Sequence, residues 1–108
     1  MTRKSSKEAG DPLLWIQKLV RMEYVEFSDH VYMAISKGDY DDRDILDSIQ
    51  NAVSIKKQKD EMRNSKDGWK YIITGLDRSG LSFDTVGKIV DGDDDDDCFF
   101  VITAYGRR

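Results

Sequence analysis

A change of hydrophobic period near residue 53 constrains this chain more than any other feature. Ahead of it, apolar residues recur at helical spacing; behind it, they alternate or run together as in strands. Helices that precede strands, rather than alternate with them, argue against crossover units and for an α+β fold. N-terminal helices would pack on one face of a three- to four-stranded antiparallel sheet. The length of 108 residues fits one domain, read as residues 11–108 behind a polar, aperiodic arm at 1–10.

The first helix should start at Asp11-Pro12, where an Asp cap and a proline in the first turn suit helix entry. Leu13, Leu14, Ile16, Leu19 and Val20 form its apolar face to about Tyr24, with Trp15 a further candidate. Val25-Glu26-Phe27 reads as an extended link. Ser28 can cap a second helix over Asp29 to Lys37, which Gly38 stops. Asp41 and Asp44 stand at capping-box spacing before a third helix that buries Ile45, Leu46 and Ile49, with Ala52 a further candidate.

Val53 and Ile55 open the strand region, and Lys56 to Asp67 reads as strand end and loop. Trp69, Tyr71 and Ile73 alternate with Lys70, Ile72 and Thr74, giving a strand with one richer apolar face. Asp77-Arg78-Ser79-Gly80 marks a turn. Leu81 to Val90 is a strand with a bulge expected at Gly87. Cys98 to Tyr105 is apolar on both faces, as a central strand would be.

Composition narrows the function classes. The lone Cys98 permits no intramolecular disulfide and no multi-thiolate zinc site, and its apolar neighbours predict a buried thiol. No apolar run is long enough to cross a bilayer, and Met1 to Gly10 lacks the apolar stretch of a signal peptide, so a cytoplasmic location is expected. The net charge of −4 is carried by five aspartates at 93–97, and the rest of the chain is almost neutral. That run fails the calcium-loop pattern, with Asp96 at the glycine position and Ile102 at the final glutamate position, and reads as a solvated hairpin tip. No metal or other cofactor is expected. Glycine-rich phosphate loops and nucleophile elbows are absent.

Phe27-Ser28-Asp29-His30, a helix ending at Gly38, Asp44-Ile45-Leu46, and Val101-Ile102-Thr103-Ala104-Tyr105 follow one another in an order that resembles the bacterial family called domain of unknown function 4258. The resemblance spans about residues 12 to 106. It implies a compact RelE-like fold and a toxin-like role on RNA or the ribosome, with an antitoxin-like protein as partner. The chain departs from the family pattern where His30-Val31-Tyr32-Met33-Ala34 carries no arginine, leaving Lys37 as the nearby cation, and where Tyr105 is followed by Gly106-Arg107-Arg108. Nothing in the sequence sets an oligomeric state.

Metal-independent RNA cleavage needs a base for the 2′-hydroxyl, an acid for the leaving oxygen and cations for the phosphate. His30, Tyr105, Arg107 and Arg78 would supply that set if the last strand passes beside the second helix. The competing role for His30 is a hydrogen bond that fixes the helix start; for Tyr105 it is packing. Lys56, Lys57, Lys59 and Arg63 could meet phosphates, or simply guard a solvated loop and strand edge. Trp69 and Tyr71 could stack on bases, or pack across strands. The alternative to a toxin is a non-catalytic protein-binding domain that keeps the fold.

Overall fold

A computed structural model describes residues 11–92 and 96–106. Helices α1 (Pro12–Arg21), α2 (Asp29–Lys37) and α3 (Asp42–Gln50) lie on a sheet of β1 (Val25–Phe27), β2 (Ala52–Lys59), β3 (Trp69–Leu76), β4 (Ser82–Asp91) and β5 (Asp97–Gly106). The strand order is β1-β5-β4-β3-β2. Residues 1–10, 93–95 and 107–108 lie outside the description, and with them the proposed arm, the middle of the acidic run and Arg107.

The three helix starts form as their residues dictate. Asp11 accepts the Leu13 and Leu14 N–H groups at 2.9 and 3.3 Å. Ser28 accepts the Val31 N–H at 3.2 Å, and Gly38 ends α2 at φ 82°, a left-handed conformation that glycine adopts without steric cost. Asp41 and Asp44 close a reciprocal capping box on α3. The apolar face of α1 is turned slightly from its expected position: Trp15 is buried and Leu14 is 61% exposed. Ala52 belongs to β2 rather than α3, because α3 stops at Gln50.

Strands β2 to β5 form the expected antiparallel succession, but the sheet has five strands and is mixed. The extended link at Val25–Phe27 is strand β1, paired in parallel with Phe99 to Val101. Three residues are too few to show alternation, and the pairing spans more than seventy positions, so no local pattern announces it. The register slips at Val86/Gly87, where the bulge was expected. There Val86 pairs with Thr103 and Gly87 with Val101, so the extra residue is Ile102 on β5.

Paired residues share a sheet face, which sorts the strands. One face carries Tyr71, Ile73, Phe83, Ile89, Phe99 and Val101 against Ile16, Leu19, Ile45 and Ile49 of the helices. Each fully buried side chain of this size contributes about 1.5–3 kcal/mol. Gly75 allows α3 to reach β3, since a Cβ there would stand 1.8 Å from the Ser48 carbonyl oxygen. Gly87 likewise leaves room for the Phe99 ring, 2.5 Å from where its Cβ would be. The other face, with Ile72, Val86, Phe100 and Ile102, carries no helix among the described residues.

Candidate functional site

Ser28 determines where α2 stands. Its backbone N–H donates to the Val101 carbonyl at 2.9 Å, and its hydroxyl donates to the Ile102 carbonyl at 2.7 Å. The cap of α2 is thus fastened to β5 at the bulge. His30, two residues on, is held beside the end of that strand. Between helix and strand opens a cleft of about 390 Å³. From α2 come His30, Met33, Ala34 and Lys37, the i, i+3, i+4, i+7 stripe of one helix face. From β5 come Ala104, Tyr105 and Gly106, and from the link before α3 come Asp39 and Tyr40.

His30 and Lys37 are exposed, and Tyr105 is half exposed. His30, Lys37 and Tyr105 therefore line one solvent-reached cleft together with Asp39, and through its pairing with Asp84, Tyr105 also belongs to the sheet face of Thr74 and Ile72. Tyr40 differs from its neighbours. It is buried, packs edge-to-face on Phe83 with ring centroids 5.4 Å apart, and its enclosed hydroxyl has no hydrogen-bond partner among the described residues. Burial, and then the charge of Asp39, raise its pKa, so it remains a donor at neutral pH.

Of the other two expected catalytic residues, Arg78 does not line this cleft. Arg78 is held by α3, with its guanidinium 2.6 Å from an Asp41 carboxylate oxygen and 3.8 Å from Asp44. The same two carboxylates that cap the helix attract it. Arg107 lies outside the described residues.

Tyr105 also borders a second depression, a groove of about 1010 Å³ on the helix-free face. Ile72, Val86, Phe100 and Ile102 line it, joined by Lys59 and Lys70. Lys56 shares that face through its pairing with Ile72. The rest of the expected RNA-contacting set is dispersed. Lys57 lies on the helix side, its ammonium 4.4 Å from the Trp69 ring centroid. Tyr71 is buried, and its hydroxyl donates to Asp67 at 2.5 Å, so neither ring face is open to a base. Arg63 is exposed on the 60–68 loop.

That loop closes the far end of the groove. Asp60, 4% exposed, accepts the N–H groups of Met62, Asn64 and Ser65 and faces the buried Lys88 ammonium at 3.5 Å. Lys88 also donates to the Asn64 side chain. Burial opposes ionisation of Asp60, but the Ser65 and Met62 donors and the Lys88 charge outweigh it and hold the carboxyl below its usual range. Nearby, Asp97 is 3% exposed and accepts from the Trp15 indole at 2.8 Å and from Lys66 at 2.5 Å. That bond raises the Lys66 pKa against the opposing effect of burial.

Sequence reasoning left Lys37, Lys70 and Tyr40 without a role. Lys37 could have been found as the i+7 partner of His30. Tyr40 stands in a three-residue link between a helix stop and a helix cap, where no periodicity exists to assign it a face. No known protein family, curated protein or solved structure matches the chain. Among the described residues, no helix is long and apolar enough to cross a membrane.

Proposed function

We propose that this protein is a toxin-like domain acting on RNA, of the RelE-like type that its resemblance to domain of unknown function 4258 implies. The His30–Tyr105 cleft would be its reaction centre. The observation that carries the reading is that Tyr105 borders both the cleft and the lysine-bearing groove, so the two form one continuous surface. A strand of RNA lying across the helix-free face would meet Lys59 and Lys70 along its backbone and bring one phosphate to His30, Lys37 and Tyr105. His30 is the group suited to take the 2′-hydroxyl proton, Tyr105 the group able to protonate the leaving oxygen, and Lys37 the cation for the phosphate.

The test is inducible expression of the wild-type chain and His30→Ala in bacteria, following growth and RNA integrity. The reading requires growth arrest with RNA cleavage that His30→Ala abolishes.

A second reading has its own support. The groove wall formed by Ile72, Val86, Phe100 and Ile102 is more apolar than a backbone-tracking surface needs, and Arg78 is engaged elsewhere. A non-catalytic domain that docks a protein, such as an antitoxin-like partner, would use that surface. Intact RNA and unimpaired growth in the expression test, with the chain soluble and folded, favour this reading.

A further inference from the structure

We propose that the open edge of the sheet, strand β2, is a docking site for an acidic, extended segment of a protein partner, which joins the sheet as a further strand. β2 ends the strand order and runs over eight residues, Ala52–Lys59. Among the described residues its backbone bonds only to β3, so alternate residues turn an N–H and a C=O away from the sheet. Val53, Ser54 and Lys56 to Lys59 are exposed along that edge. The opposite edge, β1, has only three residues and offers no comparable template.

Charge selects the occupant. Among the described residues, no ion pair engages Lys56, Lys57 or Lys59. Asp60, next along the chain, is buried against Lys88, and Asp67 accepts the Tyr71 hydroxyl. Glu61, beyond the strand end, is exposed. The lysines also point to both sides of the sheet. Lys56 pairs with Ile72 of the helix-free face, whereas Lys57 pairs with Tyr71 and stacks on the Trp69 ring at 4.4 Å. A strand lying in the plane of the sheet reaches both; an RNA stretched over one face does not. Phosphate oxygens, moreover, can answer the edge N–H groups but not the carbonyls, and a peptide backbone answers both. A second copy of β2 would bring three more lysines to the seam, where like charges repel. Directly opposite residues share a face, so the fitting segment carries acidic residues across from Lys56, Lys57 and Lys59. Across from Ile55, which packs on the core, it carries an aliphatic one.

This edge is separate from the His30 cleft, and the proposal does not depend on RNA cleavage there. The test uses the full chain and a blocked peptide, Glu-Thr-Glu-Glu-Val-Thr-Val-Thr. Its lysine-for-glutamate counterpart and a short oligouridylate serve as comparisons. Calorimetric titration should show binding of the acidic peptide and none of the lysine peptide. Hydrogen exchange at alternate β2 amides should slow when the peptide is bound. The double variant Lys56→Glu/Lys59→Glu should melt as wild type does and weaken the peptide about tenfold, because two attractive cross-strand pairs become repulsive. Lys70→Glu, one strand further in, should change the affinity by less than about twofold. Should the double variant not fold, Lys56→Gln alone must still weaken the peptide. No binding of the acidic peptide, equal binding of the lysine peptide, or binding that leaves the β2 amides unprotected overturns the proposal. Displacement of the peptide by oligouridylate overturns it as well and assigns the lysines to phosphate. The expression test reads His30 and this one reads β2, so either can fail without the other.

Discussion

The groove has polar groups at both ends, and the two ends treat burial in opposite ways. At the Asp60–Lys88 end, charge is buried and answered: three backbone donors and one ammonium meet one carboxylate, and Lys88 also reaches Asn64. At the His30–Tyr105 end, His30 and Lys37 face solvent, and the buried Tyr40 hydroxyl has no hydrogen-bond partner among the described residues. Buried charge that is paired fixes a loop in place, although the enclosed Ser65 hydroxyl of that loop, like that of Tyr40, has no hydrogen-bond partner among the described residues. The Asp60–Lys88 end is thus held as scaffold, while the end proposed for binding keeps its side chains open, although both carry lysines.

Breaking the satisfied end should have the largest effect. Lys88→Met removes the countercharge of a buried carboxylate and should cost about 3–5 kcal/mol in a urea melt followed by tryptophan fluorescence. A wild-type melt would show that the backbone donors alone satisfy Asp60. The same end should respond to acid. Because the folded Asp60 pKa lies below the usual 3.8, its stabilisation is complete above that value and is lost as pH falls through the lower, folded-state pKa. Melts between pH 5 and pH 2 should therefore fall less steeply in Asp60→Asn than in wild type; identical slopes would remove Asp60 from the acid response.

Two tyrosines sharpen the contrast. The Tyr71 hydroxyl donates to Asp67 at 2.5 Å, so Tyr71→Phe should cost about 1–2 kcal/mol. The Tyr40 hydroxyl has no partner among the described residues, so Tyr40→Phe should change stability by less than about 0.5 kcal/mol or raise it. Equal losses in the two variants would erase the distinction between the ends. At the exposed end, His30→Ala removes a solvent-facing side chain and should leave the melt within about 0.5 kcal/mol of wild type. A larger loss would make His30 a structural residue.

Much of the fold was legible because its signals are local. Asp11-Pro12, Ser28, Gly38 and the Asp41/Asp44 pair act on backbone groups a few residues away, and each acts as its type predicts. The strand β5 was legible from its two-sided apolar character, and Cys98 is buried as its neighbours imply. Strand β1 was not, since three residues between helices carry no period. Gly75 was equally silent, because the reason for it is the Ser48 carbonyl on another element.

The candidate site divides the same way. His30 and Tyr105 could be named from the sequence because few side chains combine that chemistry with those positions. That both line one cleft depends on the Ser28 hydroxyl reaching the Ile102 carbonyl, and on the register slip beside it. Arg78 and Tyr71 looked equally available in the sequence; the ion pair with Asp41 and the bond to Asp67 engage them elsewhere. The sequence by itself determined the α+β order, the helix caps, the turns and the strand alternation, because those follow from interactions over a few residues. Only the tertiary structure decided which cations stay open, which tyrosine is satisfied and where helix meets strand, because hydrogen bonds and ion pairs between distant residues exist only once the sheet has assembled.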